Sequence, residues 1–471
     1  MQAKIFFGSN ETVNEKVSQR KSPYSGEVVS TAPICDENDA IKALKIAKEA
    51  TKNAKNSTLS QRCNWLLDVA KRLKEQKEDI AKTITDEVGK PITFARVEVE
   101  RAIETITLSA ETMRTMHGET INTDAMNSGK KTLAYFSRVP VGVVVAITPF
   151  NFPLNLVAHK LAPALVAGNT VVLKPTPEAP LTAYKFAKLF IESEFAIKDA
   201  LSVVYGDAEV GSALITSDIP RVISFTGSVP VGNIITKNAG IKKVGLELGG
   251  NAATYIDKSA DLDLASTKCA LGAFVNSGQV CISLQRIYVD ASIYDEFAQK
   301  MAEETKKLKV GSPYDDETFM SSLIDDDAVS RAMGWVQNAI AEGAKPLLEP
   351  KADGRIFYPC VMADVRDDMA IVCEEVFAPI VSLVKVDNFD DALPRMNNSP
   401  YGLQFSVFTN DLKLTQRAIE ELDAGGIVIN DMPTLRFDIQ PYGGVKLSGV
   451  GREGPRFAIE EMTEIKSVVI C

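Results

Sequence analysis

Short apolar runs that alternate with helical segments are the feature of this chain that most constrains its fold. In the first such region, helical patterns separate predicted strands at residues 141–147, 170–173, 201–204, 221–224 and 243–246, and the first of these is a continuous apolar run. Runs of this kind are typical of parallel strands buried on both faces, and their alternation with helices indicates βαβ units. A second region after Asn251 has predicted strands at 252–256, 286–290, 380–384, 405–408 and 426–429. The sequence therefore predicts an α/β fold with two doubly wound sheets.

Three stretches lie outside this alternation. Residues 36–117 are helical in pattern, residues 121–140 are polar and then strand-like, and the tail at 465–470 is strand-like. Two interpretations stay open for residues 121–140: an arm that pairs with another subunit, or a plain surface hairpin.

Composition narrows the functional classes. The 471 residues are 45% hydrophobic and 24% charged, which is typical of a globular chain with more than one core. A net charge of −10 without a basic run disfavours nucleic-acid binding, because phosphate contacts require clustered Lys and Arg. No apolar run reaches the ~18 residues of a membrane-spanning helix, and the amino terminus lacks a signal-peptide pattern. We therefore expect a cytoplasmic protein that binds neither nucleic acid nor membrane.

The cysteines and histidines argue against a metal site. The seven cysteines are scattered without a CxxC pair, and the only histidines, His117 and His159, are far apart in sequence. Neither a zinc site nor a disulfide framework is predicted from this pattern, and reduced thiols are expected.

One cysteine occupies a position suited to nucleophilic catalysis. Cys281 ends the segment Asn276-Ser-Gly-Gln-Val-Cys281, and Glu247 lies 34 positions upstream, at the start of Glu247-Leu-Gly-Gly250. A thiolate that attacks a carbonyl requires a nearby base and a closely approaching backbone, which the carboxylate and the glycines would supply. The alternative is a small buried cysteine and a surface glutamate, which are common roles for these residues.

Residues suited to a dinucleotide follow the strands of the first region. Doubly wound sheets bind ligands at the carboxyl ends of their strands, and a helix that begins there can face a phosphate. The GxGxxG fingerprint is absent, so each loop taken alone is more often structural. The candidate positions are Thr148, Pro149, Phe150, Lys174, Gly206, Gly211, Phe225, Thr226, Gly227 and Ser228.

Seven motifs in a fixed order resemble the aldehyde dehydrogenase superfamily. The resemblance covers nearly the whole chain, and the spacing from Glu247 to Cys281 matches that of the family. The motifs are Pro149-Phe-Asn-Phe-Pro153, Lys174-Pro175, Phe225-Thr-Gly-Ser228, Glu247-Leu-Gly-Gly250, Gly278-Gln-Val-Cys281, Glu374-Glu-Val-Phe-Ala-Pro379 and Pro441-Tyr-Gly-Gly-Val-Lys-Leu-Ser-Gly449.

The resemblance implies three parts and an assembly. A β-arm would join subunits into a homodimer or a homotetramer. The implied parts are a dinucleotide-binding domain at 1–120 and 141–247, a catalytic domain at 248–455, and an oligomerisation arm at 121–140 and 456–471.

The resemblance also implies catalytic roles. The Cys281 thiolate would add to the aldehyde carbon to give a thiohemiacetal, and loss of hydride to the nicotinamide would leave a thioester. Glu247 would activate water for hydrolysis of this thioester and help to deprotonate Cys281. The Asn151 amide and the backbone N–H of Cys281 would form the oxyanion hole.

NAD or NADP is the implied cofactor. Lys174 resembles the adenosine-ribose contact, Ser228 the pyrophosphate contact and Glu375 the nicotinamide-ribose contact. Phe377 would pack beside the nicotinamide, with a core aromatic as the alternative. Leu248 and Gly249 belong to the same implied set.

One departure bears on the choice of cofactor. Many NAD-preferring members have Glu three residues after the lysine, whereas this chain has Pro177 there and Glu178 one position later. A carboxylate at this place binds ribose hydroxyls and repels a 2′-phosphate. Its displacement leaves NADP open, with NAD favoured.

The implied substrate is a short, polar, small-molecule aldehyde. His159 lies on the helix after the oxyanion loop, near a place where members that oxidise apolar aldehydes often have Trp; a helix histidine satisfied by a backbone carbonyl is the alternative. Arg96 and Arg436 could each bind a carboxylate, phosphate or sulfonate, although surface salt bridges are as common. Val280 and Ile282 flank Cys281, and the apolar Val280 disfavours a phosphorylated substrate.

Among family members the chain is most similar to lactaldehyde dehydrogenase-like enzymes. A lactaldehyde-like hydroxyaldehyde is therefore the favoured substrate, with succinate semialdehyde, phosphonoacetaldehyde and sulfolactaldehyde as alternatives. A non-catalytic structural member would not need Cys281, Glu247 and Asn151 together. Relatives that pass the acyl group to coenzyme A often lack the glutamate, so Glu247 favours hydrolysis.

Overall fold

The computed structural model describes residues 1–471, and helices and strands alternate along most of the chain. In chain order the strands are β1 (Ile5–Phe7), β2 (Asn10–Thr12), β3 (Val17–Lys21), β4 (Val28–Pro33), β5 (Glu119–Asn122), β6 (Leu133–Pro140), β7 (Val143–Ile147), β8 (Thr170–Lys174), β9 (Leu201–Val203), β10 (Val222–Thr226), β11 (Lys243–Glu247), β12 (Ala252–Ile256), β13 (Leu284–Asp290), β14 (Lys345–Pro346), β15 (Ala352–Asp353), β16 (Ile356–Phe357), β17 (Cys360–Ala363), β18 (Ile380–Val386), β19 (Tyr401–Gly402), β20 (Gln404–Phe408), β21 (Gly426–Ile429), β22 (Val445–Lys446), β23 (Gly449–Val450) and β24 (Thr463–Ile470).

The α-helices follow the same order, and a 3₁₀ turn spans Val275–Gly278. The helices are α1 (Glu37–Asn56), α2 (Leu59–Glu75), α3 (Lys77–Val88), α4 (Ile92–Thr115), α5 (Asn155–Val166), α6 (Pro180–Ile191), α7 (Ala208–Thr216), α8 (Val229–Asn238), α9 (Leu262–Phe274), α10 (Tyr294–Lys306), α11 (Asp326–Ala341), α12 (Ala370–Cys373), α13 (Phe389–Asn397), α14 (Leu412–Glu421) and α15 (Pro455–Glu461).

The first large sheet has eight strands in the order β2-β1-β9-β8-β7-β10-β11-β23. Strands β9, β8, β7, β10 and β11 are parallel neighbours, with Val144 aligned between Val171 and Val222. Every residue of β7 and β8 is buried, because helices cover both faces, and this explains the unbroken apolar sequence of β7 and the apolar centre of β8 at Val171-Val-Leu173. The carboxyl ends of the five parallel strands therefore lie side by side.

The second large sheet has seven strands in the order β14-β17-β18-β13-β12-β20-β21. All of its pairings are parallel except that of β14 with β17. The predicted doubly wound α/β fold is confirmed for both regions. One hydrophobic core contains side chains of both sheets, including Val145 and Phe405.

A separate three-stranded antiparallel sheet has the order β24-β6-β5. Strand β24 pairs with β6 along its whole length, from Thr463 opposite Pro140 to Ile470 opposite Leu133. The sequence-based division into two domains and an arm remains a prediction. Two pairings cross its boundaries. Strand β23, from the predicted catalytic domain, pairs with β11 of the first sheet, and the first two residues of β5, from the predicted dinucleotide-binding domain, pair with β6 of the predicted arm.

The helical amino-terminal region packs against the first sheet. Asp36 caps α1 through its carboxylate and forms a capping box with Asp39. Gly89, at φ 70°, ends α3 in the left-handed conformation that glycine adopts without strain. None of the helices combines the length and the apolarity required to cross a bilayer.

Candidate active site

A left-handed turn precedes Cys281. Asn276, Ser277 and Gly278 have φ values of 51°, 55° and 72°. At Gly278 a Cβ atom would lie 2.3 Å from the Ala378 carbonyl oxygen, so no larger residue fits. The Ser277 hydroxyl fixes the turn, since it donates to the Ser321 carbonyl at 3.0 Å and accepts from the Ser321 N–H at 3.1 Å.

The sulfur of Cys281 contacts a tyrosine. Its Sγ lies 3.0 Å from the Tyr442 hydroxyl oxygen. Burial raises the pKa of the Cys281 thiol to about 11, and the carboxylates of Glu375 and Glu247 act in the same direction. The hydrogen bond with Tyr442 and the positive charge of Arg436 oppose this rise. Burial and the two carboxylates therefore disfavour the thiolate form of Cys281, whereas Tyr442 and Arg436 favour it.

Glu247 ends strand β11 and is buried. Its Oε2 atom has no hydrogen-bond partner. Burial and the nearby Glu453 carboxylate raise the pKa of Glu247 well above its ordinary value, against the opposing charges of Arg436, Lys160 and Arg452. A buried carboxyl group with a raised pKa and an open oxygen is suited to general acid–base chemistry.

Two glycines bring Glu247 and Cys281 into one region. A Cβ atom at Gly250 would lie 2.1 Å from the Cys281 carbonyl oxygen, so the loop after Glu247 packs directly on the segment that contains Cys281. A Cβ atom at Gly443, next to Tyr442, would lie 2.9 Å from Glu247 Oε1. Neither glycine can be replaced without displacing one of these segments.

Asn151 lies in the loop between β7 and α5 and points toward the same segment. Its Nδ2 donates to the Gln279 carbonyl at 3.1 Å, two residues before Cys281, and its Oδ1 accepts from the Phe152 N–H at 3.1 Å. The structure thus brings Asn151, Glu247 and Cys281 together, although the last two are far from Asn151 in sequence.

A cavity of about 220 Å³ opens beside Cys281. Val280, Ile282 and Arg436, which the sequence offered as candidate substrate residues, line it. Seven other polar or charged residues of its wall received no role from the sequence, and only Asn276 and Tyr442 among them belong to one of its motifs. These residues are Lys90, Glu98, Arg101, Asn155, Asn276, Thr434 and Tyr442.

The Asp438 carboxylate contacts Arg101 of this wall and His159 behind it. It accepts two hydrogen bonds from Arg101, at 2.9 and 2.8 Å, and one from Asn155 at 3.2 Å. His159 Nε2 lies 2.9 Å from the same carboxylate. These donors and the positive charge of Arg101 hold the pKa of Asp438 far below its usual range.

Two predicted substrate residues occupy other places. His159 is buried behind the cavity wall, where Nε2 contacts Asp438 and lies 3.2 Å from Arg436 Nη2. Burial, followed by the charge of Arg436, lowers the pKa of His159, so the ring is neutral at neutral pH. It therefore supports the wall without lining the cavity, and its partner is a carboxylate and not a backbone carbonyl.

Arg96 also lies outside the cavity. Its guanidinium forms ion pairs with Glu78 at 3.0 Å and with Asp316 at 2.5 Å, on the protein surface. This placement is at odds with a substrate contact and agrees with the alternative of a surface salt bridge. The related feature that sequence reasoning missed is Arg101, which lies on the same helix and does reach the cavity.

The predicted cofactor residues gather at the carboxyl edge of the first sheet. Thr148, Pro149 and Phe150 follow β7; Lys174, Pro177 and Glu178 end or follow β8; Gly206 and Gly211 follow β9; Phe225, Thr226, Gly227 and Ser228 end or follow β10; and Leu248 and Gly249 follow β11.

Several observations at this edge fit a bound dinucleotide. The hydroxyls of Thr148 and Thr226 are buried without a hydrogen-bond partner. Ser228 begins helix α8 without capping it through its side chain, so the first N–H groups of that helix are available to a phosphate. A Cβ atom at Gly227 would lie 2.4 Å from the Phe225 ring, so a larger residue here would displace that ring.

Glu375 and Phe377 lie across from this edge. Glu375 accepts a hydrogen bond from the Gly250 N–H at 3.0 Å, and a Cβ atom at Gly249 would lie 2.5 Å from its Oε2. Burial raises the pKa of Glu375 to about 7, against the hydrogen bond from Gly250. Phe377 has a φ of 49° and meets Phe150 edge-on at 6.0 Å between ring centroids, so it is half-buried and not a core aromatic.

The β8 loop carries the carboxylate that bears on cofactor choice. The Thr176 hydroxyl donates to the Glu178 carboxylate, and Pro177 is exposed. Burial lowers the pKa of the Lys174 ammonium, while the carboxylates of Asp207 and Glu178 act in the opposite direction. Glu178 is therefore close enough to Lys174 to influence a group bound there.

Comparisons with known proteins agree on one family. The sequence profile of the aldehyde dehydrogenase family matches residues 10–468. The 3-sulfolactaldehyde dehydrogenase of Priestia aryabhattai is 42% identical over 464 residues, covering 98% of this chain and 96% of that protein. The lactaldehyde dehydrogenase of Methanococcus aeolicus is 40% identical over 468 residues, covering 98% and 99%. The crystal structure of NADP-dependent glyceraldehyde-3-phosphate dehydrogenase from Bacillus halodurans, complexed with NADP, matches with a TM-score of 0.98 at 32% identity, covering 100% and 99%.

Proposed function

We propose, from the premise that this chain belongs to the aldehyde dehydrogenase family and is an NAD(P)-dependent aldehyde dehydrogenase, that it oxidises a short hydroxyaldehyde of the lactaldehyde type to its carboxylic acid. Cys281 is the nucleophile, Glu247 the base and Asn151 the oxyanion donor. These roles are supported by the contact of three segments around Cys281. The Asn151 side chain donates to the Gln279 carbonyl, and the backbone after Glu247 packs on the Cys281 carbonyl.

The residues of the chain divide the chemistry between them. The Cys281 thiolate forms a bond to the aldehyde carbon, and the carbonyl oxygen takes up negative charge. The Asn151 amide and the Cys281 N–H stabilise that charge; loss of one such donor usually costs on the order of 100-fold in rate. When bound, NAD or NADP supplies the hydride acceptor. The acyl group then stays on Sγ as a thioester, and Glu247 takes a proton from the water that hydrolyses it.

The cofactor site proposed here uses residues of both sheets. Lys174 and Glu178 hold the adenosine ribose, the first turn of α8 holds the pyrophosphate, and Glu375 holds the nicotinamide ribose. Glu178 supports NAD as the preferred cofactor, because its carboxylate lies near Lys174 and would repel a 2′-phosphate. The similar Bacillus halodurans enzyme is complexed with NADP, so both cofactors belong in any assay.

The charge balance of the cavity supports a small hydroxyaldehyde. Each cation of the wall already has a carboxylate partner: Lys90 pairs with Glu98, Arg101 with Asp438, and Arg436 with Glu453 at 3.0 Å. A neutral substrate therefore leaves no charge unpaired. The Nε of Arg436 and the hydroxyl of Thr434 are buried and lack hydrogen-bond partners, and a substrate hydroxyl can satisfy such groups.

The same two open donors favour one second candidate, an aldehyde that also carries a sulfonate. The Arg436 Nε and Thr434 hydroxyl groups could donate hydrogen bonds to the oxygens of an anionic group, and the three cations of the wall lie close by. The 42% identity with a 3-sulfolactaldehyde dehydrogenase supports this candidate.

A kinetic screen tests these proposals. NADH or NADPH formation is measured with lactaldehyde, 3-sulfolactaldehyde, succinate semialdehyde and phosphonoacetaldehyde, each with both cofactors. We expect the highest kcat/KM with a hydroxyaldehyde, and a Cys281→Ala variant that binds cofactor but does not turn over. Activity in that variant would remove Cys281 from the mechanism, and inactivity of the wild type with every short hydroxyaldehyde would remove the proposed substrate.

A companion variant tests the base. Glu247→Gln is expected to accumulate an acyl-enzyme, visible by mass spectrometry as a mass increase on Cys281, with slow steady-state turnover. An unchanged steady-state rate would contradict the role of Glu247 in thioester hydrolysis.

A further inference from the structure

The hydroxyl of Tyr442 has a single hydrogen-bond partner, the sulfur of Cys281. The two atoms lie 3.0 Å apart, and Tyr442 is 6% exposed. Burial raises the pKa of the Tyr442 phenol well above its ordinary value, and the charges of the Cys281 thiolate and Glu247 act in the same direction. The phenol is therefore protonated at neutral pH, and toward a thiolate it can only donate.

We propose that Tyr442 is a catalytic residue whose hydroxyl donates a hydrogen bond to the Cys281 thiolate and thereby increases the fraction of enzyme with an ionised nucleophile. The proposal rests on the proposed role of Cys281 as the nucleophile. The phenol keeps its own proton throughout, and the thiol proton passes to Glu247. When Sγ forms its bond to the aldehyde carbon, the sulfur loses its negative charge and the hydrogen bond weakens.

The position of Tyr442 is fixed from two sides. The guanidinium of Arg436 lies over its ring, 3.7 Å from the centroid, and this cation is itself held by Glu453. On the other side, Gly443 packs against Glu247 Oε1, so the backbone after the tyrosine cannot shift outward. A donor that is already in place does not have to reorganise when the thiolate forms, which is the condition for effective electrostatic stabilisation.

The remaining charges around Sγ show why a donor is needed. The groups that act on the thiol are Tyr442, Arg436, Glu375 and Glu247. Both carboxylates disfavour the thiolate, and burial disfavours it further. Arg436 is partly neutralised by Glu453, at 3.0 Å. The Tyr442 hydroxyl is the one neutral donor in this set, and it is the group that touches the sulfur.

The decisive variant is Tyr442→Phe, which removes one oxygen and keeps the ring over which Arg436 lies. Alkylation of Cys281 by iodoacetamide is followed between pH 7 and 10 in the enzyme without substrate, with mass spectrometry to confirm the modified residue. One hydrogen bond to a charged group corresponds to about one unit of thiol pKa, so we expect alkylation about tenfold slower than in the wild type at each pH.

Two further enzymes complete the test: a matched control variant, and an enzyme in which the hydroxyl at position 442 is a stronger hydrogen-bond donor. Tyr294→Phe removes a buried tyrosine hydroxyl on α10, outside the cavity, and should leave the alkylation rate unchanged. Incorporation of 3-fluorotyrosine at position 442 makes the phenol a stronger donor, and alkylation should become faster. Equal rates in the wild type and Tyr442→Phe, or slower alkylation with fluorotyrosine, would overturn the proposal.

These readouts also separate the two proposals from each other. If wild-type Cys281 is not alkylated at all, the nucleophile itself is wrongly assigned. If Cys281 is alkylated at the same rate in the wild type and in Tyr442→Phe, only the role of Tyr442 is contradicted, and the proposed oxidation of an aldehyde is unaffected.

Discussion

At the scale of single residues, the site contains acidic groups whose proton affinities differ from those in water. Burial raises the pKa of Glu375 to about 7 and that of Cys281 to about 11, whereas hydrogen-bond donors and the charge of Arg101 hold the pKa of Asp438 very low. Glu375 therefore changes its protonation state near neutral pH, whereas Cys281 and Asp438 do not.

Cofactor affinity is expected to rise with pH through about 7. The ionised form of Glu375 accepts hydrogen bonds from ribose hydroxyls more strongly than the neutral form does, and it predominates above the raised pKa of about 7. Titration of NAD by isothermal calorimetry should give binding about tenfold weaker at pH 6 than at pH 8. Glu375→Gln should bind weakly with little pH dependence. As a control, Glu247→Gln should keep the wild-type dependence of NAD affinity on pH. A wild-type affinity that does not change with pH would contradict the role of Glu375.

At the scale of elements, helix α5 depends on a carboxylate from another helix. Its amino terminus has no side-chain cap of its own. Glu98 of α4 accepts hydrogen bonds there from the Leu154 N–H at 2.8 Å and the Asn155 N–H at 3.1 Å, and it pairs with the buried Lys90. Lys90 Nζ also lies 3.9 Å from the Phe152 ring centroid, so the pair holds both ends of the loop that follows Asn151.

Removal of one member of this pair should cost more than removal of both. Lys90→Met leaves the Glu98 charge buried and unpaired, at a cost of about 3–5 kcal/mol in unfolding free energy. In the Lys90→Met, Glu98→Gln double variant the glutamine oxygen still accepts from α5, and part of the stability should return. Urea denaturation measures both. The exposed pair of Lys77 with Glu100, at 2.6 Å, is the control, and Lys77→Met should cost less than about 1 kcal/mol. Additive costs at Lys90 and Glu98 would contradict this coupling.

The elements also show what the sequence can and cannot predict. The strands β7 and β8 were predictable because burial on both faces leaves a continuous apolar run. The two-residue strands such as β14 and β22 were not, since two residues carry no periodicity. The family resemblance is confirmed. Its motifs contain Cys281, Glu247 and Asn151, and the catalytic roles of these residues stay predictions. The contact of Arg101 with Asp438 spans 337 positions and has no local pattern.

At the scale of the whole molecule, the three-stranded sheet presents apolar side chains to solvent. On one face of β24, Ile465 is 58% exposed and Val469 is 57% exposed; on the other face, Ile470 is 52% exposed and its partner on β6, Leu133, is 54% exposed. Ile465 and Val469 lie four residues apart on one face of the strand. Grouped apolar residues at a surface are typical of an association site, which supports the predicted oligomerisation arm.

A charged substitution on this sheet should dissociate the assembly. In the Ile465→Lys, Val469→Lys double variant two ammonium groups would have to be buried at the interface, which is unfavourable. Light scattering after size-exclusion chromatography should show a homodimer or homotetramer for the wild type and a monomer for the variant. Leu412→Lys, at an 82% exposed apolar residue on α14, is the control and should not change the mass. A monomeric wild type, or an unchanged variant, would contradict the predicted arm.

The turn before Cys281 has a consequence for how the protein responds to heat. Asn276 and Ser277 hold left-handed backbone conformations that cost residues with side chains roughly 1–2 kcal/mol each. Contacts with Ser321 and Ala378 keep them there. Warming that loosens these contacts lets the turn relax and withdraws the sulfur from its partners while both sheets are still intact. Inactivation should then precede melting of the fold.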